Sequence, residues 1–168
     1  YVNEAFGPSM IWKTYKKGKL PKVTKEQALT LFKSRGAPLR WGAYGDPAMY
    51  DYEIVKAITD AHGVGHTSYT HQWAEPWFDA RHLEYSMASV DYENTVEKLK
   101  ALHPTARYYR IAKDYSDLAE DEIACPSSGD DLDGRIMGKG SPRKVTCNKC
   151  LLCSGTSKQA KNIVIKEE

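Results

Sequence analysis

The sequence predicts an α/β fold, an open, partial barrel of parallel β/α units with a C-terminal cysteine-rich metal-binding segment. Three observations point there. Short β-favouring runs alternate with amphipathic helical runs through most of the chain, an order that lays strands parallel with helices as crossovers. The 168 residues make about one domain and supply some five or six strands, too few for an eight-stranded barrel. Finally, Cys147, Cys150 and Cys153 crowd into one short run, with Cys125 as the remaining cysteine.

Taken in order, residues 1–23 are expected to form an irregular basic arm, broken by Gly7-Pro8, Gly18 and Pro21. Thr24 begins a helix as its cap, with Gln27 placed for a capping box, and Ala28, Leu29, Leu31 and Phe32 give it an apolar side as far as Gly36. Leu39 to Tyr44 follows as a strand stopped by Gly45-Asp46-Pro47. A helix over 51–61 repeats Ile54, Val55 and Ile58 at helical spacing. His66 to Thr70 is the second strand, a short helix is expected near 77–81, and Glu84 to Ala88 is the third strand.

Asp91 caps the next helix, lined by Val96, Leu99 and Leu102. Arg107 to Ile111 is a strand, a weak helix is expected at 116–119, and Glu122-Ile123-Ala124 runs into Cys125-Pro126. Residues 127–146, rich in Gly, Ser, Asp and Pro, are expected to loop before the cysteine run, and Asn162 to Ile165 closes the chain as a strand. The barrel thus occupies 24–126, and 127–168 adds the loop, metal segment and last strand of the same domain.

A hydrophobic fraction of 41% and a charged fraction of 27% describe an ordinary globular protein. There is no apolar run near the roughly 18 residues of a membrane span, and no secretory pattern at the start, so a cytoplasmic protein is expected. The first residue is Tyr1, from which a trimmed chain or an upstream segment is expected. Net charge is only +2, yet Lys13, Lys16, Lys17, Lys19, Lys22 and Lys25 gather in one segment. Such a run is either a solvated face or a patch that contacts the phosphates of a nucleic acid.

Cysteines two residues apart suit a tight turn whose sulfurs converge on one centre. Four thiolates complete a tetrahedral zinc site or ligate a four-iron, four-sulfur cluster. Three neighbouring cysteines with one remote partner, itself followed by proline, favour the cluster, and zinc is the alternative. The plainer readings are two disulfides, which would need an oxidising compartment, or three unpaired thiols packed as small hydrophobes.

In a barrel, functional groups gather at the C-terminal ends of strands. The candidates there are Tyr44, Gly45, Asp46 and Pro47, then His71 and Gln72, Ser89 and Asp91, a segment near Lys113, and Cys125. Each has a plainer reading: Gly-Asp-Pro is ordinary turn chemistry, Asp91 a cap, and His66 and Tyr69 packing residues. Trp41, Trp73 and Trp77 either stack bases or fill the core. No Ser-His-Asp order or phosphate-binding glycine loop suggests hydrolase chemistry.

Arg40 to Ala48, His66 to Trp73 and Met87 to Asp91, followed by Cys125-Pro126 and the cysteine run, resemble successive blocks of an uncharacterised family. That family occurs in bacteriophages and mobile elements and is related to radical S-adenosylmethionine barrels. The resemblance covers nearly the whole chain, beginning with Tyr1-Val2-Asn3 and Gly7-Pro8. It implies a partial barrel with cysteine-bound iron–sulfur. It also implies that Gly45-Asp46-Pro47 stands where radical enzymes hold the methionine end of S-adenosylmethionine. The radical cluster itself needs a Cys-x-x-x-Cys-x-x-Cys loop, and no cysteine precedes Cys125. The later run is therefore expected to be an auxiliary or structural centre, and the radical loop either lies before Tyr1 or has been lost. Competing expectations are a zinc-stapled nucleic-acid-binding module and a virion component whose metal only fixes the fold.

Overall fold

The computed structural model describes residues 7–90, 93–127 and 145–167. The expected cap at Asp91 and most of the 127–146 loop lie outside these residues.

The core is a five-stranded sheet in which every neighbouring pair is parallel. Its strands are β3 (Tyr69–Thr70), β4 (Met87–Val90), β5 (Tyr108–Ala112), β6 (Glu122–Ala124) and β7 (Asn162–Lys166), in the spatial order β3-β4-β5-β7-β6. The last strand thus enters the slot between β5 and β6. Asn162 seats it: the side-chain Oδ1 accepts from Tyr108 N at 2.9 Å, and Nδ2 donates to Asp121 at 2.8 Å. Ile163 and Val164 are fully buried there, each worth about 1.5–3 kcal/mol relative to exposure. A second, two-stranded parallel sheet pairs β1 (Leu39–Arg40) with β2 (His66–Thr67).

Alternation along strands sorts the residues onto two faces. Ala88, Val90 and Tyr108 face one layer, where Trp73, Leu83, Leu99 and Ala106 bury them beneath α4 (Glu93–Leu102). Tyr69, Met87, Tyr109, Ile163 and Ile123 face the other way, one from each strand, and pack around Cys153, Leu152 and Cys125. The cysteine run is therefore the second layer over this sheet.

The helices follow local chemistry. α2 (Lys25–Lys33) starts in the expected capping box, Thr24 Oγ1 accepting from Gln27 N and Gln27 Oε1 from Thr24 N. α3 (Tyr52–His62) is capped by Asp51 and ends at Gly63, whose φ of 68° is the left-handed conformation favoured there. Its buried stripe is Tyr52, Val55, Ile58 and His62, with Ile54 outside it. The His62 ring fastens α2 to α3, its nitrogens 2.8 and 2.9 Å from the carbonyls of Phe32 and Ala37.

Several expectations are corrected. The N-terminal arm contains a helix, α1 (Gly7–Lys16): Gly7 and Pro8 occupy its first turn, where a missing N–H costs nothing, and Gly18 at φ 64° closes its end. The 39–44 strand stops after two residues because Gly42 and Gly45 turn the chain at φ 76° and 137°. The 66–70 strand is divided at Ser68, whose N–H goes to Cys153 O while its carbonyl accepts from Met87 N. One half then pairs with β1 and the other with β4. The helix expected at 77–81 is a 3-10 turn over 80–84, which pushes the following strand on to Met87–Val90. No helix forms at 116–119. There the Glu122 carboxylate takes the N–H of Ala119 and holds an extended turn.

Candidate metal centre

Thr146 leads into α5 (Cys147–Cys150), one helical turn that sets Cys147 and Cys150 on one side, three residues apart. Leu151 reverses the chain at φ 52°, an uncommon conformation for a leucine. Its side chain lies over Gly65, where an added Cβ would come within 2.7 Å of Leu151 Cδ1. The reversal delivers Leu152 and Cys153 onto the apolar sheet face. Cys147 is exposed, Cys150 and Cys125 half-buried, and Cys153 buried.

Three sets of contacts hold the run down. The Cys153 carbonyl accepts from Ser68 N at 2.8 Å. Gly155 presses against the backbone of 83–86 so closely that a Cβ would meet Leu83 O at 2.5 Å, on top of its φ of 63°. The buried Arg107 guanidinium reaches four carbonyls of the run: Nη1 donates to Leu152 (2.9 Å), Gly155 (2.8 Å) and Lys158 (3.3 Å), and Nη2 to Lys161 (2.6 Å). On the far side, Cys125 follows β6 directly, its N–H donating to Val164 O at 2.7 Å, and the Cys147 thiol donates to Ser127 Oγ at 3.4 Å.

These anchors bring Cys125, Cys147 and Cys150 within electrostatic reach of Cys153. Burial pushes the Cys153 thiol up to about 12; a hydrogen bond from Tyr69 opposes this, and the charges of Cys125, Cys150 and Cys147 raise it further. Burial likewise raises Tyr69 and Tyr109, with thiolate neighbours adding to it. Burial thus favours the protonated Cys153 thiol, and a cation bound there would have to displace its proton. No disulfide joins the cysteines. As placed, no group of three or more His, Cys, Asp or Glu among the described residues is gathered tightly enough to grip an ion. The donor set is chemically suited to zinc or iron–sulfur, and loading it requires the thiols to draw together.

The strand-end candidates form a different cluster. Asp46 Oδ1 accepts from Ala48 N and Oδ2 from His71 N, at 2.9 and 2.8 Å, which ties the turn after β1 to the end of β3. The His71 ring lies 3.9 Å from the same carboxylate. Pro47 is buried, Tyr44 is exposed, and Gly45 supplies the positive φ of the turn. Ser89 contributes its carbonyl to Trp73 Nε1 at 2.8 Å. This cluster sits by β3 at one edge of the sheet, and Cys125 follows β6 at the other. Trp73 is core, Trp41 half-buried with its indole N–H on Thr59, and Trp77 exposed. His66 is a buried packing residue bonded to Tyr85 O.

Sequence reasoning passed over Arg107 and Gly155. For Arg107 a signal existed: it stands two before Tyr109 and four before Ile111, the one charged residue in an alternating apolar row. Gly155 carried no such mark, because its constraint comes from backbone more than sixty residues away.

Elsewhere, α1 buries none of its residues and displays Met10, Trp12 and Tyr15 beside Lys13 and Lys16. Trp12 and Tyr15 stack at 5.6 Å, with the Lys16 ammonium 5.0 Å above the indole. Among the described residues no helix is long and apolar enough to cross a membrane. Compared with protein-family models, characterised proteins and solved structures, the chain matches none.

Proposed function

We propose that this chain is a metal–thiolate protein whose Cys125, Cys147, Cys150 and Cys153 share one centre, an iron–sulfur cluster of the four-iron type. One observation carries the reading: a side chain from each of the five strands packs around Cys153, Leu152 and Cys125, so cysteines of both segments share one apolar floor. Soft thiol donors, a dry apolar floor and tyrosine hydroxyls nearby are the surroundings such a cluster uses.

The wider reading is a radical S-adenosylmethionine-like protein of phage or mobile-element type, with an open, partial barrel and the cysteines as an auxiliary or structural centre. An all-parallel sheet whose five strands reach one buried cluster supports it. In this reading the turn of Tyr44, Gly45, Asp46 and Pro47, with His71 and Ser89, borders the methionine end of the cofactor. Asp46 acts there by shaping the turn, since both of its oxygens already hold backbone N–H groups.

Protein purified without oxygen and assayed for iron and sulfide tests the cluster. Near-stoichiometric four-iron content with brown colour is expected. Colourless protein carrying one zinc per chain would replace the cluster with a structural zinc.

A second reading, binding of nucleic acid through the Lys13–Lys25 segment, is favoured by the exposed, stacked Trp12 and Tyr15 among lysines with no acidic residue between Gly7 and Lys25. Bases would stack on the rings and phosphates would meet the lysines. Single-stranded DNA binding that weakens steeply between 50 and 200 mM salt is expected on the order of magnitude of counterion release. Absence of binding at low salt would remove this reading.

A further inference from the structure

The basic helix and the strand-end turn meet at one residue. α1 begins at Gly7, and an added Cβ there would lie 2.6 Å from the Tyr44 hydroxyl oxygen, so the first turn of the helix rests on the Tyr44 ring. Tyr44 is nonetheless 58% exposed, like Trp12 at 56% and Tyr15 at 61% on the helix. Single exposed apolar side chains are ordinary, but three large rings on two touching elements form a patch. From Gly7 to Tyr15 the helix rises about 12 Å, the length of about three or four stacked nucleotides.

The charge on this side points to the occupant. Residues 7–45 hold nine lysines and arginines and one acidic residue, Glu26, although the whole chain is only +2. Arg40 is exposed four residues before Tyr44. Asp46, the carboxylate of the turn, spends its oxygens on Ala48 N and His71 N, and the His71 ring lies 3.9 Å from it. Rings and cations are also mixed, with the Lys16 ammonium 5.0 Å above the Trp12 indole. Such mixing suits bases stacked beside phosphates, whereas a lipid surface calls for charges on the face opposite the rings.

We propose that Tyr44 stacks a base of a single-stranded nucleic acid lying along α1, so that the strand-end turn takes a nucleotide as its ligand. The proposal rests on the reading of the Lys13–Lys25 segment as nucleic-acid-binding, and it joins that segment to the turn of Asp46 and His71.

The test follows a labelled oligothymidine of about 12 nucleotides by fluorescence anisotropy at about 50 mM salt, with the full chain as titrant. The wild-type chain, Tyr44→Ala and Tyr44→Phe are compared, with circular dichroism to show that each is folded. Alanine removes the ring and should weaken binding about 5- to 150-fold, the effect of losing one base-stacking side chain. Phenylalanine keeps the ring and should stay within about threefold of wild type on the same scale. Ultraviolet cross-linking of the wild-type complex, read by mass spectrometry of its peptides, should mark the Tyr44 turn as well as α1. A loss under about fivefold in Tyr44→Ala, an equal loss in Tyr44→Phe, or cross-links confined to α1 would overturn the proposal. If the alanine variant does not fold, the cross-link decides alone. A wild-type chain that binds no oligonucleotide, whether or not it binds anionic phospholipid vesicles, would instead strike the nucleic-acid reading and this proposal with it.

Discussion

At the residue scale, the cysteine run is held by close approaches as much as by hydrogen bonds. Gly155 is the sharpest case, because its missing Cβ leaves room for Leu83 O, Glu84 O and Ser86 N, all backbone atoms that cannot move aside cheaply. Gly155→Ala adds a methyl group against that wall and strains a positive φ. It is expected to cost about 3 kcal/mol or more, on the scale of overpacking combined with backbone strain. Chemical denaturation of the metal-free chain measures this, and a change below about 0.5 kcal/mol, typical of a neutral surface site, would refute the packing account. Glu122 is the polar counterpart. Burial pushes its carboxyl up, but Arg110, the Ala119 N–H and the Tyr108 hydroxyl outweigh that and hold it low. Arg110→Ala would leave this carboxylate buried without its ion pair, a loss of about 3–5 kcal/mol.

Elements differ in how much of their stability is local. The Thr24 capping box belongs wholly to α2, so Thr24→Ala should lower stability by about 1 kcal/mol and leave metal content unchanged. Thermal melts paired with metal analysis would show whether these separate. Such local chemistry is why α2, α3 and α4 were legible in the sequence: apolar spacing in all three, the caps at Thr24 and Asp51, and Gly63 at the end of α3 belong to the elements they define. The strand segments were legible as strands but not in extent. Gly42 and Gly45 cut β1 short, and Ser68 splits 66–70 because Met87 and Cys153 compete for its backbone groups. Nor could the sequence place β7 between β5 and β6, since that slot is created by pairings some forty to fifty residues distant. The crowding of Cys147, Cys150 and Cys153 was legible in the sequence; the seat of that run on the sheet face, through Arg107 and Gly155, was not.

On the scale of the whole molecule, two layers over a parallel sheet depend on each other, and pH should reveal it. Burial lowers both His66 and His82, so each is neutral when folded and takes up a proton near 6.5 once unfolded. The unfolded state then binds more protons, and stability falls as pH drops below about 6.5 towards the lower folded values. Glu122, held low in the fold, adds a second loss as pH falls below its unfolded value of about 4.3. Melts of metal-free protein between pH 8 and 2 should show Tm level above 7 and declining in these two stages. A Tm that stays constant from pH 7 to 5 would contradict the buried, neutral histidines.

The central claim is that four cysteines from two distant segments share one centre, and loading of single cysteine variants tests it most directly. Native mass spectrometry of the wild-type chain and of Cys125→Ser, Cys147→Ser, Cys150→Ser and Cys153→Ser, each prepared without oxygen, would give the bound mass per chain. The prediction is one centre in the wild-type chain and a marked loss in all four variants, Cys125→Ser included. Full loading of Cys125→Ser, or a wild-type chain that carries no metal at all, would contradict it.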